Sequence, residues 1–559
     1  MHSSVDERDR VARTALLAPF LGSVRRNPAL PLLLTCAALL APILAGHQGT
    51  RAWQVLLLAL PCWLVLWRRS ATPSTRMLQG LLCFLPGLAF VLDGAARGFL
   101  LAAYDMLPNS AMVLSAVANT TADESAEFVA LLWRDLLAWG GFALLCAGAL
   151  GAGVFLWWRA PSAPTPCAAP RWRLARIALG ALLLALVSAA FASKPFRRHH
   201  PLAFWPQWSQ EVRDLRAQWT GYARDRGTLL AGAGALKPVL SRDGPDTLVL
   251  VISESMNRSN MSNYGYPRST APQLIERQRT LGGRLQVFRH AWSADASTVP
   301  ALRNLFFFGS PEAKQRVHLL ALARAAGYRT FWISNHNDLA IEQEHARLAD
   351  ETHLLNKQPG RRTRALDEQM LPATRAALRD PAPRKLIVVH MLGLHPHYQM
   401  RRPAGQETFA HAQDGVAEQM QLAGRPPWLR VLRNDYDSSM RYHDSTVAAM
   451  LDLSRAAPGR QSWVYLSDHG QEVGHTVNRA GHSATTPDGY RIPLMMWSSF
   501  GQAAPSAALT APVRGDWFGH SLARLLGIGW KGEQPQRDVL DSRYRWQAPP
   551  LPLRFDFRS

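Results

Sequence analysis

Residues 463–470 read Trp463-Val-Tyr-Leu466 and then Ser467-Asp468-His469-Gly470, a short run of β-formers ending on a carboxylate and an imidazole. Two other runs end alike. Thr247–Ile252 (TLVLVI) leads into Ser253-Glu254-Ser255, and Leu386–Val389 (LIVV) leads into His390 and then GLHPHY, with His395 and His397. Thr330–Ser334 and Ile492–Trp497 supply two more strands, with helix-like sequence such as Arg316–Ala326 between the runs. Apolar strands separated by helices imply a mostly parallel sheet covered on both faces. Ligands of such sheets collect beyond the carboxyl ends of the strands. Three strand ends, together with the loop Gly481-His482-Ser483, bring a carboxylate and imidazole set to one edge, and that donor set suits zinc or a similar divalent ion. A single polar strand end is ordinary exposure; the coincidence of several carries the reading.

Such a centre needs a nucleophile. In Ser293-Ala-Asp-Ala-Ser297-Thr298-Val-Pro300, hydroxyls stand just before a helix whose first turn tolerates Pro300. Free N–H groups and the positive dipole end at a helix start stabilise an alkoxide or a phosphoryl group. A metal would lower the hydroxyl pKa further. Ser297 or Thr298 also suits a plain N-cap, and the metal cluster tips the reading toward a nucleophile. The cysteines leave this region to oxygen nucleophiles: Cys36, Cys62, Cys83, Cys146 and Cys167 all precede residue 168, which excludes disulfides, thiolate metal ligands and a cysteine nucleophile beyond it.

Upstream the pattern changes. Apolar stretches run about Ala29–Gly46, Ala52–Trp67, Met77–Leu92, Leu136–Trp158 and Leu174–Ala192. A spanning helix takes about 20 residues. Arginines at 25 and 26, at 68, 69 and 76, and at 159, 171, 173 and 176 mark three inside segments, whereas Asp105, Asp123, Glu124 and Glu127 suit the outside. An N-terminal five-helix transmembrane domain (residues 1–193) then places everything after it outside, which in a two-membrane bacterium is the periplasm. Residues 194–240 form a Trp- and Arg-rich interfacial linker, equally readable as a packing helix, and 241–559 form the α/β domain.

The 559 residues carry 62 basic and 41 acidic side chains, a formal charge of +21, yet only 18% are charged in all. That balance excludes a disordered chain and favours phosphate-bearing partners. Nucleic acid is excluded by the outward placement of the domain, where lipid head groups and lipopolysaccharide phosphates are at hand.

Taken in order, the five stretches, VLVISESMNRSNMSNYGYPRSTAPQL (249–274), STVPAL (297–302), HMLGLHPHYQMRRP (390–403), YDSSMRYHDSTV (436–447), SDHGQEVGH (467–475) and AGHSATTPDGYRIPLMMW (480–497) resemble the lipopolysaccharide phosphoethanolamine transferases of the alkaline phosphatase and sulfatase superfamily. The last motif is closest to the type acting on core heptose. The resemblance implies a sulfatase-like α/β fold, a phosphatidylethanolamine donor, a lipopolysaccharide acceptor on core or lipid A, membrane lipids as surroundings and a covalent Thr intermediate. It implies zinc, one ion or two, on Glu254, Thr298, Asp468 and His469, with Thr298 as nucleophile and His395 and His482 on the substrate phosphate. Ser297 and Ser293 stay as rival nucleophiles, because lipid A-modifying members place their Thr before a Cys-flanked stretch that is missing here. Ser253 replaces the usual Gly before Glu254, and Gln471 stands where many members carry an acid. A sulfatase in the strict sense needs Cys or Ser opening a (C/S)-x-P-x-R run; Thr298 and Leu302 break it. His397 and His475 are candidate substrate contacts, Arg401 and Arg402 candidate contacts to acidic acceptor groups, Asn260 and Tyr264-Gly-Tyr266 a turn, and Asp437 and Asp444 supports for a helix near the site. Phosphoglycerol transfer, phosphodiester hydrolysis and a non-catalytic membrane-anchored regulator are the alternatives.

Overall fold

A computed structural model describes residues 29–67, 69–160, 170–240, 243–309, 316–336, 338–355 and 366–558. Arg25, Arg26, Arg68 and Cys167, used above for topology and cysteine arithmetic, lie outside them. The chain divides into one unit of residues up to Leu114 plus Phe128–Arg213, and a second of Ser115–Glu127 plus Asp214–Ser559.

Each apolar stretch coincides with a helix, Leu30–Gly46, Gly49–Leu64, Pro73–Tyr104, Ala122–Arg159 and Pro170–Ala192, although the first begins one residue before its helix and the second outlasts its helix by three. Two of these, Pro73–Tyr104 and the part of the fourth from Leu132, are long and apolar enough to cross a membrane. The third helix outruns the Met77–Leu92 stretch by a dozen residues because Asp93 and Arg97, which interrupt the apolar pattern, pair one turn apart at 2.7 Å and are both buried. The first and third helices meet on small residues: a Cβ on Gly94 would stand 2.2 Å from the Pro42 carbonyl oxygen. Leu39, Val55, Phe90, Leu150 and Trp157 fill the space between helices. Leu33, Leu44, Leu85, Leu137, Leu144, Leu145 and Leu184 face outward, the apolar exterior that a lipid environment accepts and water does not.

The second unit is built on a seven-stranded sheet. Its strands are β1 Thr247–Ser253, β2 Leu285–Val287, β3 Arg329–Ser334, β4 Glu351–Leu354, β5 Lys385–His390, β6 Gln461–Ser467 and β7 Leu494–Ser498, in the order β2-β7-β6-β1-β5-β3-β4. β6, β1, β5, β3 and β4 are parallel, and β7 pairs antiparallel with both neighbours, so the sheet is mixed. The strand expected at Ile492–Trp497 begins at Leu494 and runs against the others. Ile492 pairs instead with Ala291 in a small second sheet. The helix expected from Arg316 starts at Leu319, after a two-residue strand at Val317–His318.

All seven residues of β1 are buried, as a central strand covered on both faces requires. Leu248, Leu250 and Ile252 pack on one face with Phe306, Leu320 and Leu522. Val249 and Val251 pack on the other with Met440, Val447 and Leu451 of the helix Pro427–Ala456. The central strands end level, Ser467 opposite Ser253 and Ile252 opposite His390, so the residues after them emerge side by side.

Candidate metal centre

Glu254, Thr298, Asp468 and His469 converge at that edge. Thr298 Oγ1 donates to Glu254 Oε2 at 2.8 Å and lies 3.5 Å from His469 Nε2. His469 Nε2 stands 3.1 Å from Glu254 Oε1 and 3.5 Å from Asp468 Oδ2. Donor atoms bound tetrahedrally at about 2.0 Å are roughly 3.3 Å apart, so these separations are those of a metal cradle. Local structure aims each donor. The Asp468 Oδ1 atom accepts from the His469 and Ser255 amides, leaving Oδ2 buried without a hydrogen bond. His469 Nδ1 donates to the Gly470 carbonyl at 2.7 Å, which turns Nε2 toward the cluster as the nitrogen that would bind a metal on losing its proton. Ser255 adopts φ +59°, and its hydroxyl donates to Glu254 Oε1.

The electrostatics ask for a cation. Burial and the Glu254 charge push the Asp468 carboxyl well above its ordinary range. Burial would raise Glu254 too, but His469 holds it well below. Burial opposes charge on His469, yet Asp468 and Glu254 lift it to about 9. Two carboxyl groups and one imidazole thus crowd a single buried space, and Asp468 Oδ2 is left there without a hydrogen bond. The donors fit a divalent ion of the zinc type.

Thr298 is the first residue of the helix Thr298–Phe306; Ser297 holds the N-cap position but makes no capping hydrogen bond. The Ser293 hydroxyl accepts from the Asp295 amide in a local turn. Of the three hydroxyls, Thr298 is the one hydrogen-bonded to the cluster. His482 Nε2 lies 3.9 Å from Glu254 Oε1, its ring edge-on to His469 at 4.6 Å, so with Glu254 and His469 it forms a trio able to hold a metal. Burial and His469 lower its pKa to about 4. Burial lowers His395 well below its usual value while it senses Glu254, Arg401 and His482.

A fourth strand end, after β3, adds a residue that the reading of strands by sequence omits. His336 is buried, stacked on His390 at 4.0 Å and 9°, and both bring ring nitrogens within 4.8 Å of Glu254. Stacked imidazoles aim their lone pairs in parallel planes, so the two do not chelate one ion with Glu254. Applying the same rule to TFWIS, which is followed by Asn335-His336, finds the residue.

Several further candidates turn out to be framework. Arg401 and Arg402, read as contacts for acidic acceptors, are buried and paired with Glu127 at 2.9 Å and Asp435 at 2.7 Å. Asp444 accepts the Gln273 and Leu274 amides at the start of the helix Pro272–Leu281. Asp437 collects Asn260, Tyr266 and Arg268. His475 Nε2 meets Asn260 Oδ1 at 2.7 Å, and Gln471 donates to the Tyr398 hydroxyl. His397 has φ +76° in the turn beside His395.

Known proteins match this arrangement. The family model described as Sulfatase matches residues 246–528, half of the chain. "Phosphoethanolamine transferase EptC" of Escherichia coli (strain K12) is 29% identical over 481 residues, 79% of this chain and 80% of that protein. The crystal structure of the C-terminal periplasmic domain of EcEptC from Escherichia coli in complex with Zn superposes with a TM-score of 0.51 at 30% identity, covering 54% of this chain and 88% of that one. The integral membrane lipooligosaccharide phosphoethanolamine transferase A (EptA) from Neisseria meningitidis shares the fold along the chain, with a TM-score of 0.56 at 18% identity over 92% of this chain and 98% of that one. From the level strand ends through the Asp-His pair after β6 to the length of the match, the chain belongs to the sulfatase family.

Proposed function

We propose that the chain is an inner-membrane phosphoethanolamine transferase that moves the head group of phosphatidylethanolamine to lipopolysaccharide, on core or lipid A, through Thr298. The carrying observation is the convergence of Thr298 with Glu254, Asp468 and His469 at donor–donor separations of 2.8–3.5 Å. The name of the relative matched over about four-fifths of each chain supports the reaction class, and the zinc-bound neighbour supports zinc as the metal, which this reading places on these four residues.

When bound, zinc would lower the Thr298 hydroxyl pKa and draw electron density from the phosphorus. Thr298 Oγ1 is poised to give its proton to Glu254 Oε2 and to form an O–P bond as the bond from phosphorus to the diacylglycerol oxygen breaks; that oxygen takes up a proton. The start of the helix Thr298–Phe306 offers N–H groups to the phosphoryl oxygens. His395 and His482, both kept neutral by burial, hold the phosphate without trapping it as an ion pair. An acceptor hydroxyl or phosphate then displaces Thr298. Residues 1–193 form the membrane domain with five spans, 194–240 the interfacial linker and 241–559 the periplasmic catalytic domain; the outward leucines of the first unit support that placement.

The test is mass spectrometry of lipid A and core oligosaccharide from cells with and without the chain. A phosphoethanolamine increment dependent on the chain is expected, and fragmentation names the acceptor. A phosphoglycerol increment, or none, overturns the reading.

A further inference from the structure

The segment Ser115–Glu127 falls, by sequence, between the third and fourth apolar stretches, yet it packs as part of the catalytic unit. Arg216 Nε donates to the Ala118 carbonyl at 2.9 Å. Thr121 and Glu124 form a reciprocal pair, Thr121 N to Glu124 Oε2 at 2.8 Å and Glu124 N to Thr121 Oγ1 at 3.3 Å, which fixes the start of the helix Ala122–Arg159. One turn further on, Glu127 is 8% exposed and accepts from Arg401 Nη2 at 2.9 Å.

Arg401 is 4% exposed and works in two directions. Its Nε donates to the His395 carbonyl at 3.3 Å and its Nη2 to the Pro396 carbonyl at 3.1 Å. Those carbonyls belong to a stretch bracketed by Gly393 at φ +56° and His397 at φ +76°, so no regular backbone ladder holds them. A buried guanidinium spanning two carbonyls stays in place only while its charge is compensated, and removing one partner of a buried pair leaves a costly bare charge.

We infer that Glu127 is a positioning residue for group transfer: through Arg401 it holds the His395-Pro396 turn, and so sets where the His395 ring meets the phosphate. The inference rests on the transferase reading for the reaction, and on the geometry alone for the turn. It assigns to the acidic segment a role in the site that its charge pattern alone, which marks only the outer side, does not reveal.

The test is a double-mutant cycle on the full-length, zinc-loaded protein, with Glu127→Gln, His395→Ala and both together. Two quantities are read: the rate of phosphoethanolamine transfer, and the affinity for inorganic phosphate by calorimetry. Glu127→Gln keeps size and a hydrogen-bond acceptor but loses charge. It is expected to lower both by about tenfold in the wild-type background, and to change neither further when His395 is already Ala, because its action runs through that ring. A general loss of structure would lower both equally in the two backgrounds, and that result overturns the inference, as does a Glu127→Gln protein with wild-type phosphate affinity. If the wild-type chain transfers no phosphoethanolamine, the transferase reading fails, and the cycle on phosphate affinity still decides the positioning role.

Discussion

Replacing Asp468 by Asn separates what the cluster does with a metal from what it does without one. In the metal-free protein, burial and Glu254 hold the Asp468 carboxyl well above its usual range, which favours its protonated, uncharged form. Asn is the uncharged mimic of that acid. Its oxygen still accepts the amides of Ser255 and His469, and its NH2 takes the place of the unpartnered Oδ2 near His469 and Glu254. Metal-free stability is therefore expected to change by no more than about 0.5 kcal/mol. The zinc-bound state behaves differently. Zinc at 100 times its Kd stabilises the wild type by about 2.7 kcal/mol, which at roughly 2 °C per kcal/mol for a large domain raises Tm by about 5 °C. Losing a direct ligand weakens affinity by at least about a hundredfold, the upper range seen for outer partners. At the same zinc concentration the variant then gains only about 0.4 kcal/mol, or under about 1 °C. Thermal unfolding of the full-length protein in detergent, with chelator and with zinc, reads both numbers. A variant that keeps the full zinc shift, or that loses as much stability in chelator as in zinc, refutes the assignment of Asp468 as a ligand.

Two other outcomes follow from the geometry. Gly393 has φ +56°, and a Cβ there would stand 2.5 Å from the backbone N and O of Glu254; Gly393→Ala should push Glu254 off the cluster and weaken zinc at least about tenfold in a chelator competition, beyond the strain of about 1–2 kcal/mol for a left-handed residue. Buried His318 and His345 share a 2.8 Å hydrogen bond, and burial first, then their neighbours, hold both below their normal range, His345 at about 3. Their folded pKa values are depressed, so the unfolded chain binds more protons below about pH 6.5. The stability is complete above that pH and is lost on acidification toward the folded values, by about 1.4 kcal/mol at pH 5.5 for His345, with a loss of the same sign from His318. Denaturant unfolding at pH 7.5 and 5.5 should show the loss, and His345→Asn should remove about one proton from its slope.

Much of the catalytic unit is legible in the sequence because central strands buried on both faces have to be continuously apolar, and the first polar residues after them have to face the ligand edge. TLVLVI, LIVV and WVYL obey this, and so Glu254, Asp468 and His469 stand out. Strand direction leaves no such trace: Leu494–Ser498 reads like its neighbours and runs the opposite way. Leu285–Val287 and Glu351–Leu354 are short edge strands with Gln, Glu, Thr and His among them, too brief for a pattern. The apolar rule also ends the third helix too early, because it counts Asp93 and Arg97 as breaks when they neutralise each other inside the helix packing. Arg401 and Arg402 mislead for the same reason from farther away: the partner of Arg401 lies 274 residues upstream, and no local pattern announces it.

The central claim is that Thr298 carries the transferred group, motivated by its 2.8 Å hydrogen bond to Glu254 at the start of a helix. The most direct measurement is peptide-level mass spectrometry of the zinc-loaded protein, quenched after mixing with phosphatidylethanolamine in the absence of lipopolysaccharide. A phosphoethanolamine adduct on Thr298, absent from Thr298→Ala and lost on adding lipopolysaccharide, is the expected result. An adduct on Ser297 or Ser293, or full transfer activity in Thr298→Ala, would contradict it.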